Sequence, residues 1–176
     1  MPIVLNGETF SNGGTANFNG YSLNEIQFEG VTVWKKETPI STVLSASGSG
    51  GVGDGSTGSA SVTSSNSWDL RNASSVSFSF HTGGYNIPGG PEWRATSVMY
   101  YEYLVFADST TVIFASGDYG NGTQPRDGTY TVNLSGKSAS QLASVKFRQY
   151  YSWSSNGKNT NAAWYMSAYL DNCVAT

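Results

Sequence analysis

The stretch Val76-Ser77-Phe78-Ser79-Phe80 alternates apolar and small polar residues without interruption. Successive side chains of a strand point to opposite faces, so a period of two predicts a strand with one face on a core and one in water. The pattern spreads outward from there. Residues 98–106 are long and apolar on both sides, which predicts a central strand buried on both faces. Residues 112–114, 130–134, 145–153 and 164–174 read as further strands and 59–63 as an earlier one, while 41–45 leads into 48–58, a Gly/Ser-rich run that reads as a flexible loop. Between them lie turn-rich connections at 83–91, 117–128 and 154–161, rich in Gly, Asn, Ser and Pro. Short strands at this spacing predict an antiparallel β-sandwich. Residues 141–144 offer one helical turn, and no segment holds a helical period over three turns.

The totals fit that reading and exclude several functions. Hydrophobic residues make up only 38% of the 176, but 14% are aromatic. Each buried ring removes ~150–250 Å² from water, so one full core is within reach. A net charge of −3 with scattered basic residues gives no clustered cations for phosphate, so no nucleic-acid partner is expected. The single cysteine, Cys173, excludes an internal disulfide and a Cys-based zinc site; in an apolar run it reads as a small buried hydrophobe. No apolar run approaches the ~20 residues of a membrane helix, so no membrane insertion is expected. The opening Met1-Pro2-Ile3-Val4-Leu5 lacks the basic flank and length of a signal peptide, which predicts synthesis in the cytoplasm.

The chain divides near Thr38-Pro39 into residues 1–38 and 39–176. The first part reads as closely spaced hairpins. Asn6-Gly7, Asn19-Gly20 and Glu29-Gly30 each separate apolar residues, and Asn-Gly tolerates the positive φ that two-residue hairpin turns need. So short a run of hairpins cannot build a robust core. It must pack on the rest of the chain, a copy of itself or a partner, and Phe28, Val31, Val33 and Trp34 are the candidate assembly residues.

Titratable groups are scarce, with only 12% charged residues, which points away from proton chemistry and toward binding. Gly48, Gly50 and Gly53 satisfy a dinucleotide spacing but lead into a strand, not a helix. His81 is the lone histidine, and no nucleophile-elbow motif selects a serine for it. Glu102 lies mid-strand, and Glu92, Asp118 and Asp127 lie in loops; a glycosidase would need two carboxylates about 5–10 Å apart. Asp69, Asp118 and Asp171 offer oxygen ligands, but no calcium-loop motif is present. No cofactor, metal or catalytic residue is therefore expected.

Strand faces offer more. In 145–153, period two puts Val145, Phe147, Tyr151 and Trp153 on one face and Lys146, Arg148 and Tyr150 on the other. In 164–171, Trp164, Met166, Ala168 and Leu170 oppose Tyr165, Ser167, Tyr169 and Asp171. If the two strands form a hairpin, the second sets make one exposed face, which Tyr100 and Glu102 extend. Trp93, in a loop, is either a loop plug or a candidate binding-site lip. Tyr and Arg are enriched at binding surfaces. The plain alternatives are a cross-strand aromatic ladder and a face covered by the N-terminal hairpins.

Residues 24–37, Asn-Glu-Ile-Gln-Phe-Glu-Gly-Val-Thr-Val-Trp-Lys-Lys-Glu, resemble a short module of minor structural proteins of tailed bacteriophages. Residues 68–80, with 128–134, 143–148 and 170–174, resemble strands of jelly-roll carbohydrate-binding-like domains. The resemblance implies a hairpin docking module followed by an antiparallel jelly-roll-type β-sandwich. It further implies a non-enzymatic virion protein of tail, appendage or head decoration. Its partners would be other virion proteins, copies of itself and a host-surface glycan. The alternative is a free-standing carbohydrate-binding module or small glycan hydrolase, with Glu102 as the acid.

Overall fold

The computed structural model describes residues 3–5, 8–10, 16–18, 21–23, 25–29, 31–51, 57–86, 95–118, 127–155 and 163–176. Among these residues the chain is nearly all β. Three short hairpins come first. They pair β1 (Ile3–Leu5) with β2 (Glu8–Phe10), β3 (Ala16–Phe18) with β4 (Tyr21–Leu23), and β5 (Glu25–Phe28) with β6 (Val31–Lys35). Leu5 faces Glu8, Phe18 faces Tyr21 and Phe28 faces Val31, so each connection is two residues long. Glu29 has φ 49°, the left-handed conformation such a turn demands.

The remaining strands are β7 (Thr38–Ile40), β8 (Leu44–Gly51), β9 (Thr57–Thr63), β10 (Ser75–Asn86), β11 (Ala95–Val105) and β12 (Thr111–Asp118). After them come β13 (Gly128–Asn133), the helical turn α1 (Ala139–Leu142), β14 (Lys146–Ser155) and β15 (Ala163–Ala175). They form two antiparallel sheets packed as a sandwich. In the first, β13, β10 and β15 lie side by side, and β7 and β8 share the far edge of β15. The second runs β12-β11-β14-β9.

The opening pentapeptide behaves as its alternation predicts. Val76, Phe78 and Phe80 are buried, while Ser77 and Ser79 point outward. The core they enter draws on both sheets, with Leu44, Leu104, Phe147 and Leu170 among its fully buried members. Phe78, Phe80, Phe114, Tyr130 and Phe147 pack ring to ring, mostly edge to face, at centroid distances of 5.0 to 6.3 Å.

One end of the sandwich is closed by connections that belong to this core. Trp68 bridges to Val145, its indole N–H donates to the Thr42 carbonyl at 2.7 Å, and Leu70, Leu134 and Leu142 are buried beside it. The turn α1 is held by a capping box between Ser138 and Gln141. At the other end the strands finish in aromatic residues set opposite glycines. Trp164 faces Gly50, Trp153 faces Gly58 and Tyr100 faces Gly117. The rings lie so close that a Cβ on Gly50, Gly58 or Gly117 would meet them at 2.8, 2.5 and 2.6 Å. Only glycine fits there.

Candidate functional site

Strand β14 divides as its sequence predicts. Phe147, Tyr151 and Trp153 are buried, and Lys146, Arg148 and Tyr150 lie on the outer side. Its expected partner is not its partner, however. β14 lies between β11 and β9, whereas β15 lies in the other sheet beside β10. The single Tyr/Arg/Ser/Asp face expected from a β14–β15 hairpin therefore does not exist. Arg148 and Tyr150 belong to one outer face of the sandwich, and Tyr165 and Tyr169 to the opposite one. The reason is physical: a strand beside β14 and a strand across the core from it bury the same alternate residues. Periodicity cannot tell them apart.

A second correction concerns β11. Tyr100 and Glu102 point into the sandwich, with 5% and 0% exposure, and extend no outer face. The residues that reach the surface are Tyr101 and Tyr103, which the sequence reading missed. Apolar residues occupy both parities of 99–105, so alternation does not say which parity faces outward. The signal lay in Leu104, which shares the parity of Glu102 and is fully buried.

The outer face of the second sheet is thus built from β11 and β14. The register places Tyr101 opposite Tyr150 and Tyr103 opposite Arg148. The Tyr101 ring lies 6.1 Å from that of Tyr103, stacked at 25°, and 6.1 Å from that of Tyr150 at 44°. The phenols are close enough to act on one another. Partial burial raises the Tyr103 hydroxyl above the usual tyrosine range, the Tyr101 and Tyr150 phenols raise it further, and Arg148 opposes the rise. The Tyr103 hydroxyl therefore stays protonated at neutral pH. Arg148 donates through Nε to Thr63 Oγ1 at 3.1 Å. Beyond this bond it makes no ion pair among the described residues.

The opposite outer face carries Tyr165 and Tyr169, exposed by 43% and 37%. Tyr169 stacks on the His81 ring at 4.7 Å and 18°. His81 Nε2 lies 3.1 Å from Asp171 Oδ1, and Nδ1 lies 3.4 Å from Asp127 Oδ2. Asp127 is fixed in turn by the Thr82 N–H at 2.9 Å, and this contact lowers its carboxyl below the ordinary range. Both ring nitrogens of His81 thus face carboxylates, and neither is left to activate a serine. A bulge at Asn172, φ 48°, lets Asp171 face outward beside His81 while Cys173 still enters the core. Burial raises the Cys173 thiol to about 12, as suits an inert core residue.

Glu102 has a different environment. Gln149 Nε2 and the Tyr151 hydroxyl donate to its Oε1 at 3.3 and 3.4 Å. Among the described residues Glu102 Oε2, Gln149 Oε1 and Trp153 Nε1 find no hydrogen-bond partner. Burial drives the carboxyl to about 8, against the lowering effect of the two donors. A carboxyl sealed inside the sandwich cannot reach a glycosidic oxygen at the surface.

Trp93 lies outside the described residues, as do the side chains of Phe28, Val31, Val33 and Trp34. A cleft of about 540 Å³ opens at the closed end, lined by Lys36, Thr38, Ile40, Asp69, Arg71 and Thr176 among others. Arg71 is already paired with Asp69 there. Comparison with known proteins finds no family model that matches the chain and no curated protein that resembles it closely enough to count as a relative.

Proposed function

We propose that this chain is a non-enzymatic structural and attachment protein of a tailed-phage virion, which contacts host-surface glycan through the outer face of the β12-β11-β14-β9 sheet. The observation that carries the proposal is the packed group Tyr101, Tyr103 and Tyr150 beside Arg148. Aromatic rings offer flat apolar area at low entropic cost, and phenols and guanidinium bond hydroxyls around it. The sandwich is read as a jelly roll on the strength of its two strand orders, β13-β10-β15-β8 and β12-β11-β14-β9. The virion setting rests on the likeness of 24–37 to phage structural modules. The hairpins of 1–38 pair only within themselves among the described residues, and partners or neighbouring copies would cover their apolar side.

Two measurements test the reading. The Tyr101→Ala/Tyr150→Ala variant should lose at least about tenfold in affinity for polysaccharide that the full chain retains, since each such ring contributes about 1–3 kcal/mol at a packed interface. Light scattering should find the full chain oligomeric. A monomer that still binds glycan would favour the free-standing binding module, and a full chain that retains no glycan would overturn the attachment role.

A further inference from the structure

Resting on that reading, we infer that the tyrosine face selects acidic saccharides, with a carboxylate or sulfate group seated on Arg148 and sugar rings on Tyr101, Tyr103 and Tyr150. The argument begins with charge. The protein carries a net −3, yet the outward residues of β14 include two cations, Lys146 and Arg148. Two other cations are occupied: Arg71 is paired with Asp69, and the Lys137 ammonium lies 4.5 Å from the centre of the Phe106 ring. Among the described residues neither Lys146 nor Arg148 has an ion-pair partner.

Asp108, in the turn after β11 on the Lys146 side, is held by Thr110 and Gln141, and the other nearby carboxylates leave Arg148 unopposed. Glu102 points inward and is uncharged at neutral pH. Asp118 stands opposite Met99, at the far end of β12. Strand geometry puts it two spacings across and four residues along, roughly 16 Å from Arg148. That exceeds the ~10 Å over which exposed charges act at ordinary salt. The Tyr103 phenol, raised by partial burial, adds no negative charge.

The geometry of the cation suits a planar anion. With Nε committed to Thr63 Oγ1, the guanidinium is anchored, and its two terminal nitrogens make no hydrogen bond among the described residues. A guanidinium so presented bonds a carboxylate or sulfate through two parallel N–H donors. Tyr103, directly across the register, places a hydroxyl and ring face beside the seated group. The opposite outer face lacks this chemistry, because its Asp127 and Asp171 would repel an anion and its His81 lies between them.

The test uses the full chain and four polymers: polygalacturonate, dextran sulfate, neutral dextran and oligothymidylate. Polygalacturonate or dextran sulfate should be retained, and the pair reports whether carboxylate or sulfate is preferred. Arg148→Gln should weaken that retention at least about tenfold and flatten its dependence on salt. Asp171→Asn, on the opposite face, should leave it unchanged, and circular dichroism should show both variants folded. Neutral dextran retained as strongly, with Arg148→Gln without effect, would overturn the acidic selectivity and leave glycan attachment standing. Retention of none of the three saccharides would overturn attachment itself. Oligothymidylate bound as tightly through Arg148 would assign the face to a nucleic acid instead.

Discussion

At the closed end of the sandwich Trp68, Leu70, Leu134, Leu142 and Val145 meet as a dry apolar core, and the indole N–H among them is taken by the Thr42 carbonyl. At the other end Tyr100, Tyr151 and Trp153 surround a buried carboxyl and carboxamide, and glycines make room for the rings. The first end gains its stability from apolar area. The second accepts three polar atoms without partners among the described residues, each of which costs free energy. One sandwich thus combines a stability-bearing end with an end whose integrity depends on a proton and on the absence of three methyl groups.

The comparison breaks most readily at the closed end. Trp68→Ala should destabilise the protein by about 3–5 kcal/mol, the usual cost of deleting a large buried ring. Denaturant unfolding followed by tyrosine fluorescence would measure it. A loss under 1 kcal/mol would mean that this end is not where stability resides.

Glu102→Gln tests the proton. An acid with a raised value in the fold is most stabilised below its ordinary range, near 4.5. Stability is then lost as pH rises toward about 8 and is flat above it. Wild type should lose up to about 1.4 kcal/mol per pH unit within that window. The variant cannot ionise, and its amide offers Gln149 an N–H in place of the acidic proton. Its melting temperature should therefore exceed that of wild type at pH 9 and fall back toward it at pH 5. Asp108 and Asp127, whose values are lowered, act in the opposite direction and below about pH 4, outside this window. Parallel pH profiles for the two proteins would end the idea.

Gly58→Ala sharpens the contrast by the smallest step, a single methyl. Its Cβ would meet the buried Trp153 ring at 2.5 Å, and overpacking of this kind costs about 1–3 kcal/mol. The same change at Gly51, where a Cβ meets nothing within 4 Å, should have no such cost. Thermal melts of the two variants side by side would decide whether close approach, rather than glycine itself, is what the site requires.

Much of this architecture was legible in the chain. Asn6-Gly7 and Asn19-Gly20 marked two-residue turns because their preference for positive φ is local, and Val76 to Phe80 marked a half-buried strand because alternation is local too. The candidate site was legible only in halves. Arg148, Tyr150, Tyr165 and Tyr169 do face outward, as their parity requires. Tyr101 and Tyr103 were hidden by a strand apolar on both faces, and Glu102 was mistaken for a surface residue because an unpaired buried carboxylate is rare. The glycines at 50, 58 and 117 lie in stretches that read as loops, 48–58 and 117–128, so the close approach they allow was not legible in the chain. The strands β8, β9 and β12 show that these glycines stand in strands, where the lack of a Cβ lets a ring approach closely.

The sequence by itself determined that the protein is nearly all β, where most of its strands lie and which side of several of them meets the core, because each of these depends on neighbours a few residues apart. That β8 and β10 run on into the glycine-rich 48–51 and 83–86 was not legible. Only the tertiary structure decided that β14 and β15 lie in different sheets, that Tyr150 joins Tyr101 and Tyr103 rather than Tyr165 and Tyr169, and that Glu102 is sealed inside. Those outcomes depend on pairings between distant segments. A period of two is the same for a strand beside its neighbour and a strand across the core, so it carries no record of the choice.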